Sequence, residues 1–308
     1  MKEIKQAIRR SGYLFEQRIV PLLERRGYKA TPNHIFEDPE TGEPREIDVH
    51  AISGEQITKR DLDFVFPILL IACKNLSAPL VFFTQDEIPI MELAGDVQVA
   101  GVPDGIEWHG DVVSVTDFLQ VEKFHHYYRR RRLSSQFCCV FEREKGNQKR
   151  WVAVHDVENM GNLYQNLVLP LVKCVEAEKR DLTKNFDPDP DDERISLEFY
   201  FPIILTAGPL LECFVGKRQP RYRRVHHVAF IRRHKSRLWT GDYRIDVVDQ
   251  KGFRRLLDTI DNDVKKLAQR IKSRRKLLRE NVRRIVKEKL EKARQSSVTA
   301  MKGDRQNI

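Results

Sequence analysis

The chain has 308 residues, 41% of them hydrophobic and 32% charged, enough for one large domain or two of ordinary size. No run approaches the roughly 18 to 20 apolar residues that span a bilayer, and MKEIKQAIRRSGYLFEQ has no apolar signal region, so a cytoplasmic rather than a membrane or secreted protein is expected. The net charge of +10 is concentrated: residues 251 to 294 hold 17 Lys/Arg against 6 Asp/Glu, which leaves the rest about neutral. The cysteines Cys73, Cys138, Cys139, Cys174 and Cys213 are odd in number and form no CxxC pair, which favours reduced thiols over a disulfide frame or zinc ligation.

In chain order, residues 3 to 27 predict an amphipathic helix with Ile4, Ile8, Leu14, Phe15, Ile19, Leu22 and Leu23 near one face, Pro21 as a kink or break and Gly27 near its C-cap. A strand is expected over Tyr28 to Phe36, and DPETGEP (Asp38 to Pro44) is a turn. In REIDVHA (Arg45 to Ala51), Ile47, Val49 and Ala51 alternate with Glu46, Asp48 and His50, the period of a strand. Phe64 to Cys73 is apolar throughout, as in a central strand covered on both faces. Leu80 to Thr84 is another short strand, and Val112 to Arg132 reads as a helix starting near Ser114 or Thr116.

Beyond Ser134, strands are expected at Phe137 to Phe141, Trp151 to His155, Ile195 to Leu205, Leu210 to Val215, Val225 to Ile231 and Tyr243 to Val248. A helix is expected at Gly161 to Arg180 and a loop at DPDPDDE (Asp187 to Glu193). Lys251 to Arg294 is one long helix or two, with a near-heptad stripe of Leu257, Ile260, Val264, Leu267, Ile271, Leu278, Val282 and Ile285, interrupted by Arg274 and Asn281. That helix suits a homo-oligomer or partner seam, a phosphate-tracking surface or a solvated cover. The domain division is a core 1–133, an α+β region 134–250 that is either accessory or continuous with that core, a basic amphipathic helix 251–296 and a disordered tail 297–308.

Two polar residues stand out within the apolar strands: Asp48, and Lys74 at the end of ILLIACKN (Ile68 to Asn75). Phosphodiester hydrolysis needs a positioned water, a metal that neutralises charge and a cation near the nucleophile. Mg²⁺ takes oxygen ligands. Asp48 on one strand and an acid on the next would converge on it, and Lys74, two residues beyond that acid, would share its face by period-two alternation. The backbone carbonyl of Cys73 would complete the shell.

Helix acid Glu16 in GYLFEQRIVPLLERRGY, Asp48 in REIDVHA, and Lys74 in IACKN followed by PLVFF occur in an order that resembles the PD-(D/E)xK, restriction-endonuclease-like nucleases. The resemblance covers roughly residues 10 to 85. It implies an α/β fold with a central mixed sheet flanked by helices, here with a second α+β region and the long basic helix. It also implies Mg²⁺- or Mn²⁺-dependent cleavage of DNA, with Asp48 as metal ligand, Lys74 as catalytic cation and Glu16 supporting the metal through water. Bacterial genome defence fits by analogy. The departure is Ala72, where the family carries Glu or Gln. Alanine offers no oxygen, so this chain is a disarmed enzyme, or one whose acid has moved to Glu46 or Glu16, or a nucleic-acid-binding or scaffolding subunit.

The run His125, His126, Tyr127, Tyr128 and Arg129, Arg130, Arg131, Arg132 offers either base stacking with phosphate contact or a cationic helix end. His226, His227 and His234 lie in a strand pair whose basic face would meet DNA and which lacks spaced zinc ligands.

Overall fold

The computed structural model describes residues 1, 3–5, 8, 12–59, 62–76, 78–86, 97–101, 105–129, 132–145, 148–154, 156–157, 161–162, 164–184, 194–216 and 219–304. Helix α1 (Tyr13–Glu24) leads into β1 (Lys29–Glu37), β2 (Pro44–Ile52), β3 (Glu55–Gln56), β4 (Phe64–Lys74) and β5 (Leu80–Asp86). Then come β6 (Gln98–Ala100), the hairpin β7 (Ile106–Trp108) and β8 (Asp111–Val113), and the short helices α2 (Val115–Leu119) and α3 (His126–Arg129). Strands β9 (Arg132–Lys145), β10 (Gln148–Val154), β11 (Asp156–Val157) and β12 (Gly161–Asn162) precede α4 (Leu169–Lys184). The chain closes with β13 (Ser196–Thr206), β14 (Leu210–Phe214), β15 (Arg221–Val225), β16 (His227–Lys235), β17 (Thr240–Asp249) and α5 (Gln250–Asp304).

Thirteen of these strands form one mixed sheet, ordered β1-β2-β4-β13-β17-β16-β9-β5-β14-β15, with β10, β3 and β6 attached to β9, β4 and β13. Its centre is the parallel pair β4–β13, in register from Phe64↔Ser196 to Lys74↔Thr206. The sheet therefore runs across the boundary drawn at residue 134, and the 134–250 segment is continuous with the first part.

Both strands are apolar over most of their length because both faces are covered. Leu69, Ile71 and Cys73 join Phe15, Ile19 and Leu23 of α1, Phe118 of α2 and Leu257, Ile260, Leu267, Ile271 and Leu278 of α5 in one core. Ile68, Leu70 and Ala72 join Leu171, Val172, Cys174 and Val175 of α4 in the other.

Several sequence expectations are corrected. The helix expected from residue 3 is broken rather than continuous: residues 3–5 and 8 are helical, Gly12 is left-handed at φ 90, α1 starts after it, and Ile4 and Ile8 are exposed. The helix does continue through Pro21. The span 112–132 is not one helix. Ser114 does cap α2, accepting from the Asp117 amide, but Gln120 adopts φ 53 and stops it after five residues. Arg129 ends α3, Arg132 begins β9, and Arg130 and Arg131 lie outside the described residues, as does the loop expected at 187–193.

The C-terminal helix is single, and residues 297–304 continue it rather than forming a tail. Its stripe through Leu278 is spent on its own sheet, which removes the dimer seam over that length. The interruptions are used too. The Arg274 guanidinium lies over the Trp108 and Phe118 rings, and buried Asn281 accepts from the Glu107 amide. Fully buried Asp63 accepts from the Ile195 amide and from Arg275 Nε at 2.5 Å, with Arg279 at 3.3 Å, clamping the helix to the sheet. Asp63→Asn is expected to lower stability by roughly 1–3 kcal/mol and to speed amide exchange in α5 beyond residue 270, read by hydrogen–deuterium exchange.

Candidate active site

Three groups singled out in the sequence meet at one end of the β2–β4 ladder. The ladder stops at Val49↔Ile71. One step further, Asp48 turns its Oδ2 to the Cys73 amide, which donates to it at 2.6 Å, and Lys74 Nζ lies 3.8 Å from the same oxygen. Glu16 reaches the cluster from α1: a Cβ placed on Gly12 would lie 3.5 Å from Glu16 Oε1 and 3.7 Å from Asn75 Cβ. Burial raises the pKa of Glu16, the charge of Asp48 raises it further, and Lys74 opposes both.

The local backbone explains why Asp48 is available. Asn33, which would face it across β1, is left-handed at φ 50, and the register passes from Pro32↔Val49 to His34↔Ile47 without an Asn33–Asp48 pair. The irregularity sends Ile47 into the α4-side core although Val49 and Ala51 enter the α1-side core. The register is the same on both sides, so the distortion is confined to the backbone at Asn33.

The donor set suits a hard cation weakly. Lys74 gives its carbonyl to the Ala207 amide, just past the end of β13. Strand alternation then directs the Cys73 carbonyl to the opposite edge, toward β2 and Asp48. One carboxylate, one carbonyl and a nearby helix acid are oxygen ligands of the kind Mg²⁺ accepts alongside water and substrate phosphate. The Cys73 thiol is buried, and burial followed by the charges of Asp48 and Glu16 raises its pKa, so it is no nucleophile.

The remaining candidates contribute no group to this cluster. Ala72 is 3% exposed, pairs with Ile204 on β13 and belongs to the α4-side apolar core. Glu46 is exposed and pairs with Ile35. The Arg132 guanidinium lies over Phe214, 4.3 Å from the ring centre.

His125, His126 and Tyr127 are buried, which removes them from any base-stacking surface. His126 instead faces two carboxylates: Nδ1 lies 2.6 Å from Asp263 and Nε2 lies 3.0 Å from Asp246, which also meets His227 Nε2 at 2.5 Å. His226 pairs with Asp249, and His234 stacks on Trp239. The partners in this network lie more than a hundred residues from His126, so sequence spacing carried no sign of them. A second grouping that the sequence did not reveal, His34, His50 and Glu178, draws on β1, β2 and α4.

No protein-family model matches the chain, and no curated protein or solved structure matches it. Among the described residues, no helix is long and apolar enough to cross a membrane.

Proposed function

We propose that this chain carries a restriction-endonuclease-like phosphodiester site of the PD-(D/E)xK type, acting on DNA with Mg²⁺ or Mn²⁺ and weakened by Ala72. The observation that carries this is the placement of Asp48 between the Cys73 amide and the Lys74 ammonium, with Glu16 beside them. An ordinary salt bridge would need only the pair. Here a carboxylate, a cation, a backbone carbonyl and a second acid meet where the ladder opens, which is what water activation beside a phosphate requires.

In this reading Asp48 and the Cys73 carbonyl would hold the ion, which would supply charge neutralisation and a more acidic water. Lys74 stabilises charge on the phosphate. Glu16, with its raised pKa, is suited to accept a hydrogen bond from water. The exposed Lys251, Arg254, Arg255, Lys265, Lys272 and Lys276 on α5 supply sequence-independent affinity for phosphates.

A binding-only subunit is the second reading, favoured by the apolar surroundings of Ala72. The two separate in a plasmid-nicking assay with Mn²⁺. Nicking is expected roughly a hundredfold or more below a chain with the full ligand set, since even outer-shell losses cost 10–100-fold. It should vanish in Asp48→Asn and in Lys74→Met. Nicking that persists in both would sink the assignment of the site.

A further inference from the structure

We infer that His34, His50 and Glu178 form a second metal site, selective for a borderline-soft divalent ion of the zinc class and independent of the phosphodiester site. His34 Nε2 lies 2.8 Å from Glu178 Oε1, and His50 Nε2 lies 3.8 Å from Glu178 Oε2. One ligand atom from each residue falls within 4.8 Å of the other two. Around tetrahedral zinc, with metal–ligand bonds near 2.0–2.2 Å, ligand atoms sit about 3.3 Å apart, so small rotations close the site.

The arrangement is built by the fold. The two imidazoles stack with centroids 4.4 Å apart and planes 28° apart, both presenting Nε2 to one carboxylate. His34 comes two residues before Phe36, on the side of the Asn33 irregularity that faces the α4-side core. Glu178 projects from α4, where Cys174, one turn earlier, is buried in that core and anchors the helix. A proton shared with Glu178 serves one ring, and at 3.8 Å His50 is beyond hydrogen-bond reach. A divalent ion takes a lone pair from both rings and the carboxylate together.

Two imidazoles and one carboxylate select a transition ion over Mg²⁺. The side chains are 26%, 12% and 20% exposed, which leaves a fourth position open to water or ligand. Occupancy would tie the edge pair β1–β2 to α4.

The test uses the full chain, stripped with chelator and titrated with Zn²⁺ by calorimetry in excess Mg²⁺, with Co²⁺ absorption as a spectroscopic readout. One equivalent is expected to bind. Affinity should fall at least tenfold in His50→Ala and in Glu178→Gln, whose amide is isosteric and whose fold is checked by circular dichroism. Asp48→Asn should bind Zn²⁺ as the wild type does. Absence of Zn²⁺ binding by the folded wild type, or undiminished binding in both ligand variants, overturns the site. Loss of Zn²⁺ in Asp48→Asn alone would instead assign the ion to the phosphodiester cluster.

Discussion

Replacing Asp246 with asparagine is expected to lower unfolding stability by about 3–5 kcal/mol, the cost of breaking a buried ion pair by removing one partner. Asp246 is fully buried between His126 and His227. Both ring nitrogens of His126 face carboxylates, so both must donate and the ring is an imidazolium. Burial alone would lower its pKa, but the charge of Asp246 and the bonds to Asp246 and Asp263 outweigh this and raise it to about 9. Burial would likewise raise Asp246, but His126 and His227 hold it below the usual carboxylate range.

The signs fix the pH profile. A raised histidine stabilises fully below its unfolded value of 6.5, and that contribution is lost as pH climbs through about 9. Its size is about 3 kcal/mol. The lowered Asp246 contributes above its unfolded value, near 3.8, and loses that as pH falls. His125, lowered by burial and then by the charge of His126, stays neutral and costs stability as pH drops below 6.5. Denaturant unfolding should therefore show a maximum near neutrality and an alkaline decline. In Asp246→Asn that alkaline decline should flatten. An unchanged alkaline slope would contradict the imidazolium assignment.

Ala72→Glu is expected to act in opposite directions with and without metal. Continuing the β2–β4 register one step places position 72 across from Asp48. The site is 3% exposed and apolar, so a carboxylate there, beside a second one, should cost about 2–4 kcal/mol in chelator. A divalent ion compensates both acids. At a hundredfold excess over its dissociation constant it returns about 2.7 kcal/mol. Thermal denaturation should then show a large Mg²⁺-dependent rise in Ala72→Glu and a small one in the wild type. Equal rises in the two chains would mean that position 72 does not face the ion.

How far the sequence revealed this follows from the range of each signal. REIDVHA and ILLIACKN were legible because strand patterning is local: Asp48 holds a polar position in the alternation of the first, and Lys74 ends the apolar run of the second. The break before α1 was not, because the apolar spacing of Ile4 and Ile8 continues past Gly12 while the backbone there turns left-handed. The apolar residues of 112–132 have helical spacing, but Gln120 reverses the chain. The α5 stripe was read correctly as apolar, yet periodicity does not say whether the chain's own sheet or a partner covers it. The His34–Glu178 and His126–Asp246 contacts span 144 and 120 residues, and only topology brings them together.

If Asp48, Lys74 and Glu16 form a nuclease site lacking one acid, supplying that acid should restore cleavage. Plasmid cleavage in Mg²⁺ by Ala72→Glu, compared with Ala72→Glu/Asp48→Asn, tests it most directly. Mg²⁺-dependent cleavage is expected from the first, at least roughly a hundredfold above wild type, and none from the second. Absence of cleavage by a folded Ala72→Glu chain that binds Mg²⁺ and DNA would contradict it.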